Sequence, residues 1–201
     1  MRSESKPRDV PFPQCADRHV KNVLLQLLQR RVASIAVGPS TARRMGPAGT
    51  IRAARSFLAN LDLPGLSSVA AADYPCFLDH LTDDFVRALP HGARFWGSAR
   101  KFLNIFLRDV FYTRQFCEAW PFSHLEAALE VPLDSHVALG LGSEPEGKLL
   151  PGWQTIIGLK APVSARFQNV AAAVAQRRGF ARVHLDLLYW RSETRPNEKT
   201  D

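Results

Sequence analysis

Between residues 16 and 36 the apolar side chains Val20, Val23, Leu24, Leu27, Leu28 and Ile35 return at intervals of three and four, the period of one helical face. The same period runs through almost the whole chain, and glycine–proline pairs cut it into lengths. Gly38-Pro39 and Gly46-Pro47 bracket "VGPSTARRMGPAG" and end the first helix there. A second helix is expected from Pro47 or Thr50 to Leu61, closing before "DLPG", and a third over about residues 75–89, stopped at Pro90. Leu89-Pro90-His91-Gly92 reads as a hairpin, after which Gly97-Ser98 restarts a helix with Ser98 as its N-cap. Phe102, Leu103, Ile105, Phe106, Val110 and Phe111 give that helix a wide apolar face. Further helices are expected over residues 121–129, from Asp134 onward, and as a pair joined at Gly179. The best strand signal, "WQTIIGL", is short. The pattern specifies an all-α fold. One helical domain is expected over residues 16–191, with two lobes allowed, between a polar segment 1–15 and a polar, frayed tail 192–201.

Composition narrows the class. A chain of 201 residues, 46% hydrophobic and 22% charged, has the make-up of a globular domain large enough to bury a core. No apolar run reaches the roughly 18 to 20 residues of a membrane span, and the first residues hold no apolar stretch of signal-peptide type. A cytoplasmic protein that meets no membrane is the expectation, and a monomer. Cys15, Cys76 and Cys117 are widely spaced, so neither a metal site nor a disulfide framework is implied, and they read as core or semi-buried thiols. The net charge of +7 comes mostly from arginine, whose planar fork suits phosphate, so attraction to a polyanion follows.

Two stretches concentrate the chemistry. "GSARKFLNIFLRD" places Lys101 in the opening of a helix behind "LPHG", and "EVPLDSHVALGLG" places Asp134 at the start of another, 33 residues later. Near the end, "HLDLLYW" sets Asp186 and Trp190 four apart, on one helical face. This order resembles the helix-hairpin-helix DNA glycosylases, and within them the archaeal 8-oxoguanine branch. The resemblance is at the level of motifs over about residues 78–190, and "VPLDSHV" is close to the family's pattern. The hairpin departs from it, with "LPHGARFWG" where "LPGVG" is usual, and the family's optional iron–sulfur cysteines are missing. What the resemblance implies is a helical glycosylase fold, double-stranded DNA with a damaged or modified base as partner, and no cofactor or metal. It implies Lys101 as nucleophile and Asp134 as its partner carboxylate. It makes Asp186 and Trp190, with Phe106 as a pocket wall, the contacts to a flipped base.

The residue types suit that chemistry. Cleaving an N-glycosidic bond builds positive charge on the sugar, which a carboxylate stabilises. A lysine of lowered pKa attacks the same carbon and goes on to a Schiff base; a helix N-terminus and the neighbouring Arg100 are expected to lower it. The base has to leave the stack, so Phe95 or Trp96 at the hairpin tip is the expected wedge, with Arg94, Ser98 and Arg100 gripping phosphates. Each residue also has a plainer reading. Asp134 is an ordinary N-cap, Lys101 a solvated helix lysine, and Trp190 a core side chain. Two other functions fit parts of the sequence. Arg178 and His184 have the spacing of HEPN-type ribonucleases, and Arg43, Arg44, Arg94 and Arg100 would serve a non-catalytic DNA-binding module. For a glycosylase, the substrate is either an 8-oxoguanine-type lesion or a hypermodified base, such as glucosylated cytosine in phage DNA.

Overall fold

A computed structural model describes residues 18–191. Its helices are α1 (Arg18–Ala36), α2 (Thr50–Ala59), α3 (Leu63–Ser67), α4 (Tyr74–Ala88), α5 (Trp96–Tyr112), α6 (Arg114–Ala119), α7 (Ser135–Ser143), α8 (Ala161–Arg178) and α9 (Leu185–Arg191). Short 3-10 turns join several of them. The fold is all-α, with no strand among the described residues. The expected polar segment 1–15 and tail 192–201 lie outside those residues.

Two apolar clusters make the core. The first draws on α1 to α6, with Phe85, Phe102, Phe106 and Phe116 fully buried. The second draws on α7, α8 and α9, around Val137, Leu141, Phe167 and Leu185. Ile156 packs against both. This explains the apolar "WQTIIGL": Ile156 sits in the seam between the clusters, Ile157 packs on the first, and the backbone there turns, with Leu159 N donating to Ile156 O. The short strand signal is therefore a turn, in keeping with the all-α expectation. A helix expected over residues 121–129 is only the 3-10 turn Ser123–Leu125, whose Phe122, Leu125 and Leu129 still reach the first cluster.

Helix α1 forms where the periodicity puts it, but turned about its axis. Val20, Val23, Leu24, Leu27 and Ile35 are exposed, while Gln29, Val32, Ala33 and Ala36 are buried. Gln29 explains the rotation. Its Nε2 donates to Leu58 O at 3.0 Å and Leu61 O at 2.9 Å, supplying donors to carbonyls at and just beyond the end of α2. Ala33 and Ala36 then let α1 approach closely.

The hairpin signal becomes a tight 3-10 turn, His91–Ala93, and α5 starts at Trp96, two residues before the expected cap. Ser98 caps nothing: it is buried, and its Oγ has no hydrogen-bond partner. Gly97 is required here by proximity. A Cβ would collide with Ile156 O and approach Leu159 Cβ to 2.7 Å, so glycine lets the first turn of α5 dock on the seam between the clusters. At the other end of the chain Gly179, at φ 79°, closes α8 with Phe180 N donating back to Ala175 O at 3.1 Å, a Schellman ending. Cys76 and Cys117 are exposed thiols and not core ones; Cys15 lies outside the described residues.

Candidate active site

Asp134 precedes α7 with extended backbone, and its side chain does two things at once. Oδ1 accepts from His136 N and Val137 N, each at 3.0 Å, which is the N-cap role. Oδ2 faces Lys101 Nζ at 3.6 Å, an ion-pair separation longer than a hydrogen bond. The pair is mostly buried, Lys101 with 11% of its side chain exposed and Asp134 with 19%. Burial depresses the Lys101 pKa below the ordinary lysine value, and the charge of Asp134 opposes that depression only in part.

The expected cause of that depression was different. Lys101 lies in the second turn of α5, beyond the reach of the free amides of its first turn. Arg100 points the other way: Nε and Nη2 bond Glu130 at 2.8 and 3.0 Å, Nη1 bonds Thr82 Oγ1 at 2.8 Å, and Asp79 lies 2.9 Å away. Desolvation of Lys101 replaces both expected influences.

Lys101 and Asp134 stand in the wall of a cavity of about 530 Å³ between the two clusters. Asp186, from α9, lines the same cavity, so three residues from distant parts of the sequence converge there. Asp186 is not a free acceptor, because Arg108 Nη1 is ion-paired to its Oδ2. Arg108 also holds Asp109, Nε to Oδ1 at 2.9 Å, and burial raises the Asp109 pKa against the pull of that guanidinium. Arg108 and Asp109 also line the cavity, with no motif in the sequence to mark them, and so does Ile105, which the sequence marks only as part of an apolar face. A helical signal marks them: positions 101, 105, 108 and 109 share one face of α5. Ser40, Thr41 and Arg43, from the glycine–proline segment after α1, line the opposite side, with His136 beside the cap.

Phe106 falls off that face. It is fully buried in the first cluster and does not line the cavity, so its expected role as a pocket wall passes to Ile105. Trp190 lies in α9, and its side chain is outside the described residues. The hairpin residues divide. Arg100 and Ser98 are buried and cannot grip phosphate from outside. Arg94 is exposed, but its guanidinium bonds Leu89 O and Arg87 O at the end of α4. Phe95 is half-buried at the N-cap of α5, and Trp96 stacks under Arg100 at 5.1 Å. None of these five lines the cavity. The exposed apolar side chains at its edge are Ile35, 59% exposed, and Leu187, 50% exposed.

Arg178 and His184 are engaged separately. Arg178 pairs with Glu144, whereas His184 bonds Tyr112 Oη at 2.6 Å and Glu126 at 2.8 Å. Neither lines the cavity. Among the described residues no group of three or more His, Cys, Asp or Glu is placed to hold a metal ion, and no helix is long and apolar enough to cross a membrane. Comparison of the chain with protein-family models, with curated proteins and with solved structures gave no match.

Proposed function

We propose that the chain is a DNA glycosylase, in which Lys101 and Asp134 release a modified base from a nucleotide turned out of the duplex. The observation that carries the reading is the partly desolvated lysine 3.6 Å from a carboxylate in the wall of a cavity of about 530 Å³. A lysine of lowered pKa holds more of its free amine near neutral pH, and the free amine is the nucleophile. As the bond from C1′ to the base breaks, its electron pair leaves with the base, and Asp134 Oδ2 faces the positive charge that grows on the sugar. The Lys101 amine then bonds C1′ and gives up a proton, for which Asp134 is the nearest acceptor. Ring opening gives an iminium, and water releases the lysine and an abasic sugar.

The N-cap supports this role. Two backbone N–H donors fix Oδ1, which leaves Oδ2 held in one direction without reorganisation. Ile35 and Leu187, apolar and exposed at the cavity edge, suit the space that a flipped base vacates better than the half-buried Phe95 and Trp96. The cavity falls in the range of about 300–1,000 Å³ that takes ligands larger than a bare base. Its lining of Arg43, Ser40, Thr41 and Ser135 offers both donors and acceptors. The polar lining suits a base carrying an added polar group.

The test is mass spectrometry of bases released from plain, oxidised and hypermodified phage DNA, alongside borohydride trapping on the same substrates. Release from hypermodified DNA, with a trapped complex lost in Lys101→Gln, is the expected result. Neither release nor trapping on any substrate would overturn the reading.

A further inference from the structure

We infer that Arg100, Glu130 and Gln168 are positioning residues that hold residues 128–131 so that Asp134 faces Lys101, an inference that rests on the roles proposed for that pair. Residues 129–134 form neither helix nor strand, yet Val131, Pro132 and Leu133 are buried. Backbone polar groups in such a segment need partners from elsewhere, and they find them in side chains. Arg182 Nη2 and Nε donate to Ala128 O at 2.9 Å and Leu129 O at 3.0 Å. The Glu130 carboxylate takes Arg100 Nε and Nη2, and Asn104 Nδ2 at 2.9 Å. Gln168 straddles Val131, accepting from its N at 3.1 Å and donating to its O at 2.8 Å. Four consecutive residues are thus held from α5, α8 and the turn before α9.

The position of this grip in the sequence gives it a function beyond burial. Arg100 is the residue before Lys101 on α5, and Glu130 lies four residues before Asp134. The two-pronged Arg100–Glu130 contact therefore joins the two segments that carry the reactive pair. A forked guanidinium–carboxylate contact fixes direction as well as distance. A buried ion pair gains little over apolar packing of the same shape, so what it contributes here is one defined arrangement. Catalytic groups tolerate misplacement of only about 0.5 Å, and nothing within residues 128–133 would hold that tolerance by itself.

The experiment reads the coupling between Lys101 and Asp134 directly, and separately from base release. Lysine amines of the full chain are reductively methylated with a ¹³C label, the Lys101 signal is assigned with Lys101→Arg, and its titration is followed by NMR. In the native chain Asp134→Asn is expected to lower the Lys101 midpoint, since the carboxylate holds the proton on. In Glu130→Gln and Gln168→Glu backgrounds, still folded by circular dichroism, that lowering is expected to shrink to about half or less. Equal lowering in every background would overturn the proposal and leave these residues as fold supports. Should either variant not fold, Arg100→Lys, which keeps the charge and loses the fork, takes its place. A native chain that releases no base removes the glycosylase reading but leaves this coupling measurable.

Discussion

Arg100 and Lys101 are neighbours on one helix and carry the same charge, yet they have opposite surroundings. Arg100 is 5% exposed and saturated, with Glu130, Thr82 and Asp79 around its guanidinium and Trp96 beneath it. Lys101 is nearly as enclosed but has one carboxylate, at 3.6 Å, and an open cavity in front of it. Burial with full pairing makes a strut. Burial with one distant partner makes an amine whose proton is loosely held. The difference follows from the helix: a step of 100° turns the first side chain toward α4 and the next toward α7.

Substitutions that exchange or erase these two environments test the contrast. The largest effect is expected from Lys101→Gln, which should abolish borohydride trapping while leaving the melting temperature nearly unchanged; trapping that persists would detach Lys101 from the chemistry. Arg100→Met should act first on stability, and weaken trapping through the displacement of Asp134 from Lys101. It strands Glu130 without its main cation, and thermal or urea unfolding should register a loss of about 3–5 kcal/mol. Asp134→Asn comes next. Asparagine caps a helix as well as aspartate does, so the helix start should hold, while loss of the carboxylate beside the mostly buried Lys101 should cost about 1–3 kcal/mol. Single-turnover base release should fall by about 10²–10³, the usual cost of removing one preorganised electrostatic contact.

A fourth measurement uses pH. In the proposed reaction the free amine is the reactive form, and burial lowers the Lys101 pKa, so the trapping rate should rise with pH and level off below the ordinary lysine value of about 10.4. Because Asp134 holds the proton on, any residual trapping in Asp134→Asn should level off at a still lower pH. A profile that climbs through the ordinary lysine range would mean that Lys101 is solvated. The smallest effect belongs to the cavity edge: Ile35→Ala and Leu187→Ala should slow release from paired DNA several-fold and leave single-stranded substrate untouched. Equal slowing on both would remove them as wedges.

Much of the fold is legible in the chain because helix limits are local. Gly38-Pro39, Pro90 and Gly179 end helices in the structure for the reasons that make them breakers anywhere. Asp134 was legible for the same reason, since a cap needs only its own next three residues. The rotation of α1 was not. The stripe from Val20 to Ile35 is a sound helical face, but the face that docks is chosen by Gln29 meeting the end of α2, a contact between residues about 30 apart. Phe106 shows the same limit. The glycosylase reading made it a pocket wall, and the helical register, counted from Lys101, assigns that wall to Ile105, Arg108 and Asp109.

By itself the sequence determined the long helices, most of their breaks, and the order of Lys101, Asp134 and Asp186 along the chain. These depend on dihedral preferences, caps and periodicity, which act over a few residues. Only the tertiary structure decided that Lys101 is desolvated, that Arg100 is spent on Glu130, and that Asp186 is already paired with Arg108. The strength of a charge depends on what surrounds it in space, and the residues that share a cavity with Lys101 lie up to 86 positions away in the sequence.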